Sequence, residues 1–328
     1  MIEPRVIIPN AISPAAFHRR RANAPVVHLG GETMGTTWSA RIVAPPANVQ
    51  AEIEAVLATI IAQMSHWEPT SQLSRINNAP PGTWHRIGPE FAQVMGIALD
   101  IARRSNGAFD PAMGVAVDLW GFGPPGPRNA WGAALPTEAE IEAARALCGY
   151  DAIDFDPLLL RLRLTRPVRL DLSGIAKGYA VDAVAARLRA LGCLDFLVEI
   201  GGELVGEGIQ PDGQPWWVDV EVPPGVEAVP LRIALHGMAV ATSGDYRRSF
   251  VVEGTIYAHT LDPRTGRPVT NGIASVTVLH RACAQADAWA SALTMAEPVE
   301  SRRFAEREKL TMNMMLRAAS SSSTKNTG

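Results

Sequence analysis

The feature that most constrains the fold is an uneven distribution of periodicities. Between Phe196 and Leu279 the chain is cut into short β-rich runs, Phe196–Ile200, Trp216–Val222, Leu231–Leu235, Phe250–Val252 and Ser275–Leu279, each bounded by turn formers. One helix-length apolar period, Cys283–Ala296, follows them. The first half reads the other way. Thr36–Val43 alternates as a strand, and Val49–Met64 then places Ile53, Leu57, Ile60, Ile61 and Met64 at helical spacing. Further helices are expected over Glu90–Arg104, from Thr137 with Glu140 as a capping box, and over Ala176–Leu191, closed by Gly192. Leu160–Leu172 reads as a strand pair turning near Arg166-Pro167. No repeat of 20 to 50 residues runs through the chain, so a mixed α+β fold is expected and solenoids and propellers are excluded.

Composition narrows the function classes. The chain has 328 residues, 47% of them hydrophobic, and 30 Lys and Arg stand against 33 Asp and Glu. That near-balance leaves no basic footprint for nucleic acid and favours a small-molecule ligand. No stretch approaches the roughly 18 to 20 apolar residues of a membrane span, so no transmembrane segment is expected. The N-terminus lacks a charged start followed by an apolar run. A cytoplasmic location is the expectation, or a periplasmic one if the true start lies upstream. Cys148, Cys193 and Cys283 lie far apart without metal-ligand spacing and read as buried free thiols. Residues 1–30 and the Ser-rich 318–328 carry no sustained period and are expected to fray, leaving 31–317 as the functional domain. Within it, the Gly- and Pro-dense segment 120–136 is expected to be irregular, and 122–136 is a possible lid.

Three places carry groups suited to chemistry. Asp171-Leu172-Ser173-Gly174-Ile175-Ala176-Lys177-Gly178-Tyr179 reads as a strand end, a small-residue turn and a helix start. Such a turn lets backbone N–H groups approach a phosphate, with Lys177 adding charge. The same residues also make an ordinary βα turn, and neither the P-loop nor the Rossmann fingerprint is present. Asp287 and Ser291, four residues apart, share one helix face and offer two oxygens to a hard cation such as Mg2+; alone, they equally suit a helix-terminal acid and a packed serine. His259, at the end of a strand before the Asp262-Pro263 turn, suits a general base, a phosphate contact or a plain structural histidine.

Taken in order, these blocks resemble the ApbE family of FAD:protein FMN transferases. The resemblance runs through Met34-Gly35-Thr36-Thr37-Trp38, Glu68-Pro69-Thr70-Ser71-Gln72-Leu73-Ser74-Arg75-Ile76-Asn77, Phe109-Asp110-Pro111 and Leu119-Trp120-Gly121-Phe122-Gly123. It continues through the segment opening at Asp171, then Gly201-Gly202-Glu203, Ala241-Thr242-Ser243-Gly244-Asp245-Tyr246, the block from His259 to Gly266, and Ala286 to Leu293. It therefore covers about residues 30 to 300.

The resemblance implies a two-lobed fold with FAD in the cleft between lobes. It implies flavin-nucleotide contacts at Met34, Glu68, Ser71, Asn77, Asp110, Trp120, Ser173, Gly174, Ala176, Lys177, Gly178, Glu203, Ser243, Asp245 and His259. Mg2+ would be held by the Ala176 carbonyl, Asp287 and Ser291, and His259, Lys177 and Asp287 would serve catalysis. Ser291 departs from the threonine usual in the family; serine keeps the oxygen and loses a methyl that restrains the rotamer. After Glu297 the match weakens, with no sign of the family's closing strand. The implied reaction moves FMN from FAD to a Ser or Thr hydroxyl of an acceptor redox flavoprotein and releases AMP. With water in place of the acceptor it becomes an FAD pyrophosphatase, and without chemistry an FAD-binding protein.

Overall fold

A computed structural model describes residues 3–127 and 134–318 of the chain. Its centre is a seven-stranded antiparallel sheet. From one edge to the other it runs Thr311–Leu316, Ile273–His280, Met238–Gly244, Glu203–Glu207, Phe196–Ile200, Thr36–Val43 and Val26–Thr33. The two strands nearest the N-terminus are joined by Met34-Gly35, both with positive φ, +50° and +71°. That two-residue turn matches the sheet's twist and sets Met34 at the sheet's end.

One face of the sheet is covered by the helices Val49–Met64, Ala176–Ala190 and Cys283–Met295. The last is alanine-rich and buried nearly all round, which is why its period alone does not show which face meets the sheet. Trp289, Phe91, Phe196, Ile42 and Ile53 are fully buried in the core these helices share with the sheet. On the opposite face a three-stranded sheet, Arg5–Ile7, Leu231–Leu235 and Trp216–Val220, closes a second layer around Trp216 and Ile233. A third, separate core gathers Met113, Ala116, Trp120, Phe122, Ile141, Cys148 and Leu261. It forms the smaller lobe, and the cleft lies between it and the main sheet.

The helices match the sequence periodicities within a residue or two, and the Thr137–Glu140 capping box forms in full. All three cysteines are buried and free. The ends differ from expectation. Arg5–Ile7 pairs in parallel with Leu231–Ile233, far away in sequence, and Val26–Thr33 is a full strand of the main sheet in a hairpin with Thr36–Val43, so both segments are held by partners. Beyond Glu297 the chain forms the helix Pro298–Glu308 and then Thr311–Leu316, the closing strand whose pattern was not seen. Arg161–Leu164 pairs with Ile153–Asp156 and His85–Arg86, not with the residues after Arg166-Pro167. Local pattern is blind to the pairings of Arg5–Ile7 and Thr311–Leu316 because their partners are not adjacent in sequence. The expected tail 319–328 and residues 128–133 of the expected lid lie outside the described residues.

Candidate functional site

The turn that opens with Asp171 forms one wall of the cleft. Asp171 Oδ1 accepts from Ser173 N at 2.8 Å and from Ser173 Oγ at 2.5 Å, which curls the backbone before the helix starts at Ala176. The helix has no N-cap side chain at Ile175; Ala176 N and Tyr179 N bond to the Leu172 and Ile175 carbonyls, which leaves the Lys177 N–H as the first-turn donor without a partner among the described residues. Behind this turn passes the helix Cys283–Met295, very close. Gly178 N donates to Asp287 Oδ2 at 2.9 Å, and a Cβ at Gly178 would lie 2.5 Å from the Cys283 carbonyl and 2.7 Å from Asp287 Cβ. Ser291 Oγ donates to the Gly174 carbonyl at 3.4 Å. Two remote segments are thus locked together at the places where the sequence put a phosphate turn and a cation pair.

Ionic groups converge on the same wall. Lys177 Nζ lies 2.6 Å from Glu203 Oε2, an ion pair that is close but off the angles of a good hydrogen bond. Burial pushes the Glu203 carboxyl up to about 7, with Lys177 countering and the Asp287 charge adding to the rise. Burial likewise raises Asp287, against Lys177 and the Gly178 N–H. Two buried carboxylates share Lys177, with Arg247 a weaker positive influence on Glu203, and a bound cation would favour their ionised forms against the cost of burial. The donor set of Asp287, the Ser291 hydroxyl and the Ala176 carbonyl is all oxygen with a single carboxylate. That suits a hard ion completing its shell with water and phosphate oxygens.

His259 stands on another part of the wall, at the end of the hairpin Ser249–Val252 and Thr255–Ala258. Its Nδ1 lies 3.0 Å from the Arg248 carbonyl. A carbonyl only accepts, so Nδ1 carries the proton and Nε2 keeps its lone pair. Burial, and to a lesser degree the positive charge of Arg248, hold this imidazole down at about 4, although the same carbonyl favours protonation. It is therefore neutral at physiological pH. The Phe122 ring lies edge-on at 6.2 Å.

The cavity between these walls has a volume of about 650 Å³, within the range of pockets that enclose a large ligand. Of the residues expected from sequence, Met34, Asp110, Ser173, Gly174, Ala176, Lys177, Glu203, Ser243, His259, Asp287 and Ser291 line it. Six others do not, and each has a structural role. Ser71 caps the helix Gln72–Asn77 and donates to the Ser65 carbonyl. Glu68 accepts from Thr70 in a local turn. Asn77 clamps both backbone groups of Leu170, fixing the approach to the Asp171 turn. Trp120 donates to the Gly266 carbonyl and stacks on Tyr257. Asp245 is paired with Arg317 at 2.6 Å, and Gly178 lies behind the wall. Asp110 reaches the cavity, yet its two oxygens accept from Ala112 N and Tyr150 N, and burial raises it to about 6.

The structure adds residues that pattern reading passed over: His66, Trp67, Tyr246, Arg247 and Arg248 all line the cavity. His66 Nδ1 is 3.6 Å from Asp171 Oδ1, Arg248 lies over the Trp67 ring, and Arg247 is held by Glu221 at 2.9 Å. The Arg247-Arg248 pair directly follows a Gly-Asp-Tyr turn, the one available signal. Among the described residues no helix is long and apolar enough to cross a membrane.

Comparison with known proteins places this geometry. The ApbE family model matches residues 34–316. A Haemophilus influenzae protein named FAD:protein FMN transferase is 34% identical over 329 aligned residues, covering 97% of this chain and 93% of that protein. The apo crystal structure of the Pseudomonas stutzeri flavinyl transferase ApbE superposes with a TM-score of 0.82 at 36% identity, covering 90% of this chain and 92% of the other. The flavin transferase ApbE from Vibrio cholerae gives 0.81 at 35% identity, over 90% and 94%. With the match running across both lobes and the cleft between them, the chain belongs to the ApbE family.

Proposed function

We propose that this protein transfers FMN from FAD to a serine or threonine hydroxyl of an acceptor flavoprotein, assisted by Mg2+, with release of AMP. The observation that carries the reading is the convergence in one cavity of the Ser173–Lys177 turn, the Asp287 and Ser291 pair, and a neutral His259 with Nε2 unprotonated. Family membership and the relatives' named activity support it.

The FAD pyrophosphate would lie along the turn, where the backbone N–H and the ammonium of Lys177 would offset its charge. Asp287, Ser291 and the Ala176 carbonyl would hold Mg2+, which when bound supplies charge neutralisation at phosphate oxygens. The acceptor hydroxyl oxygen attacks the phosphorus of the FMN half. The bond from that phosphorus to the bridging oxygen breaks, and AMP leaves with that oxygen. His259 Nε2 takes the hydroxyl proton, while the Arg248 carbonyl holds the ring in the required tautomer.

The test is incubation of the protein with FAD and Mg2+, with and without an acceptor, reading the acceptor's intact mass and released AMP. A metal-dependent mass gain equal to FMN with matching AMP is expected. Release of FMN and AMP without labelling would instead identify an FAD pyrophosphatase, and tight FAD binding without turnover a storage protein.

A further inference from the structure

The hairpin that ends at His259 has two unlike faces and one open edge. Glu253 and Gly254, at φ +49° and +79°, form its two-residue turn. Counting back from that turn, Val252 pairs with Thr255 and Phe250 with Tyr257 through hydrogen bonds, and His259 N donating to the Arg248 carbonyl at 2.9 Å fits the same alternation. Inward, Phe250 and Tyr257 stack on each other, Phe250 meets Phe122, and Tyr257 meets Trp120. Outward, the cross-strand pair Val251 and Ile256 is 63% and 65% exposed.

In this register the backbone N–H and C=O of Ser249 and Val251 point away from the partner strand. The hairpin forms a sheet of its own, and no hydrogen bond to those groups occurs among the described residues. The other edge is different, because Ala258 on it is only 4% exposed. No residue of Ser249–Val252 is buried. An isolated two-strand ribbon with an open edge is an incomplete sheet, ready to take a further strand. Its direction matters: the edge runs straight into Arg248, which lines the cavity beside His259.

We infer that the acceptor polypeptide docks as an extended strand on the edge Ser249–Val252, with Val251 and Ile256 as its apolar contact, and so feeds its hydroxyl toward His259. This rests on the flavin-transfer reading, because that reaction requires a polypeptide to reach a cavity whose other walls are committed to the nucleotide. An added strand would lie about 4.8 Å from Ser249–Val252 and bond to it through alternate residues only.

The experiment uses the full chain with FAD, Mg2+ and a synthetic, extended Ala- and Gly-rich peptide containing one threonine, followed by mass spectrometry. Val251→Pro removes one outward N–H while leaving the hairpin's own ladder intact. It should raise the peptide KM at least about tenfold, while FAD binding, followed by flavin fluorescence, stays at the wild-type value; Val251→Ala, which keeps the N–H, should change the peptide KM by less than about threefold. A second arm leaves the enzyme untouched. N-methylation of the peptide at alternate positions should block labelling in one register and spare it in the other. Wild-type labelling that is equal in both registers, or unchanged in Val251→Pro, overturns the docking edge alone. Absence of wild-type labelling overturns the transfer to an extended segment and the docking with it.

Discussion

The two sides of the cleft are built on opposite principles. On the side formed by the Asp171 turn and the helix Cys283–Met295, backbone meets backbone through glycines, and Glu203 and Asp287 are only 1% and 4% exposed. On the side formed by Tyr246–Arg248 and the hairpin, a two-strand ribbon rests on a small aromatic cluster and presents half its side chains to solvent. The first side fixes charge where water is excluded, which is what a pyrophosphate and a cation require. The second places the neutral His259 imidazole beside a solvent-exposed hairpin. The difference teaches that position of charge is enforced by dense packing, whereas access is governed where packing is thin.

The largest expected effect tests the dense side. Asp287→Ala removes the only carboxylate of the cation set, and Mg2+-dependent acceptor labelling should fall by about 10³-fold or more, the several kcal/mol a metal supplies. Retention of wild-type labelling with FAD and Mg2+ would show that the charge on this wall is structural. His259→Ala should cost about 10²- to 10⁴-fold in labelling rate. The pH profile sharpens this. His259 is held at about 4, so the base is available above that pH and is lost as pH falls through it. For stability, the depressed value means that the unfolded chain takes up the proton first. The contribution is complete above the unfolded value of 6.5 and is lost as pH falls from there toward about 4. The low-pH limb of the labelling rate should be absent in His259→Ala; an unchanged limb would assign it to another group.

How much of this was legible in sequence follows the same division. The helices Val49–Met64 and Ala176–Ala190 were readable because their apolar positions repeat locally. The Asp171 turn and the Asp287–Ser291 pair were readable as separate fragments, and their contact through Gly178 was not, since 109 positions separate Gly178 from Asp287. The pairings of Arg5–Ile7 and Thr311–Leu316 escaped for the same reason. Val26–Thr33 has glycines where alternation is sought, and Thr311–Leu316 reads as a methionine-rich tail until Ile273–His280 is beside it. Among the expected site residues, Ser71, Asn77 and Trp120 do not line the cavity and are hydrogen-bonded to the loops behind its wall. A sequence block carries both kinds of residue without distinguishing them.

A middle-sized effect tests the packing directly. Gly178→Ala puts a methyl 2.5 Å from the Cys283 carbonyl, a backbone atom in the middle of a core crossing. It should destabilise the protein by about 1–3 kcal/mol in a denaturant titration. It should also weaken Mg2+ dependence, because the helix bearing Asp287 must shift. A normal denaturation midpoint would mean that the two segments have slack, and the contrast between the two walls would lose its basis.

The smallest effect belongs to the thin side. Arg247 is a cation at the cavity, but its charge is already answered by Glu221 at 2.9 Å and by the Gly201 carbonyl at 3.1 Å. Both partners of that ion pair are about half exposed, at 42% and 55%, and pairs of this kind contribute about 0–1 kcal/mol. Arg247→Ala should therefore leave the denaturation midpoint nearly unchanged and the labelling kcat within about threefold, while raising the FAD KM by less than about tenfold. The reason is location: a solvated guanidinium neutralised on the spot adds little field at a phosphate, whereas Lys177 is held against two buried carboxylates. A kcat loss as large as that of His259→Ala would break the division, since it would show a solvent-facing charge acting on the reacting phosphorus as strongly as the buried wall does.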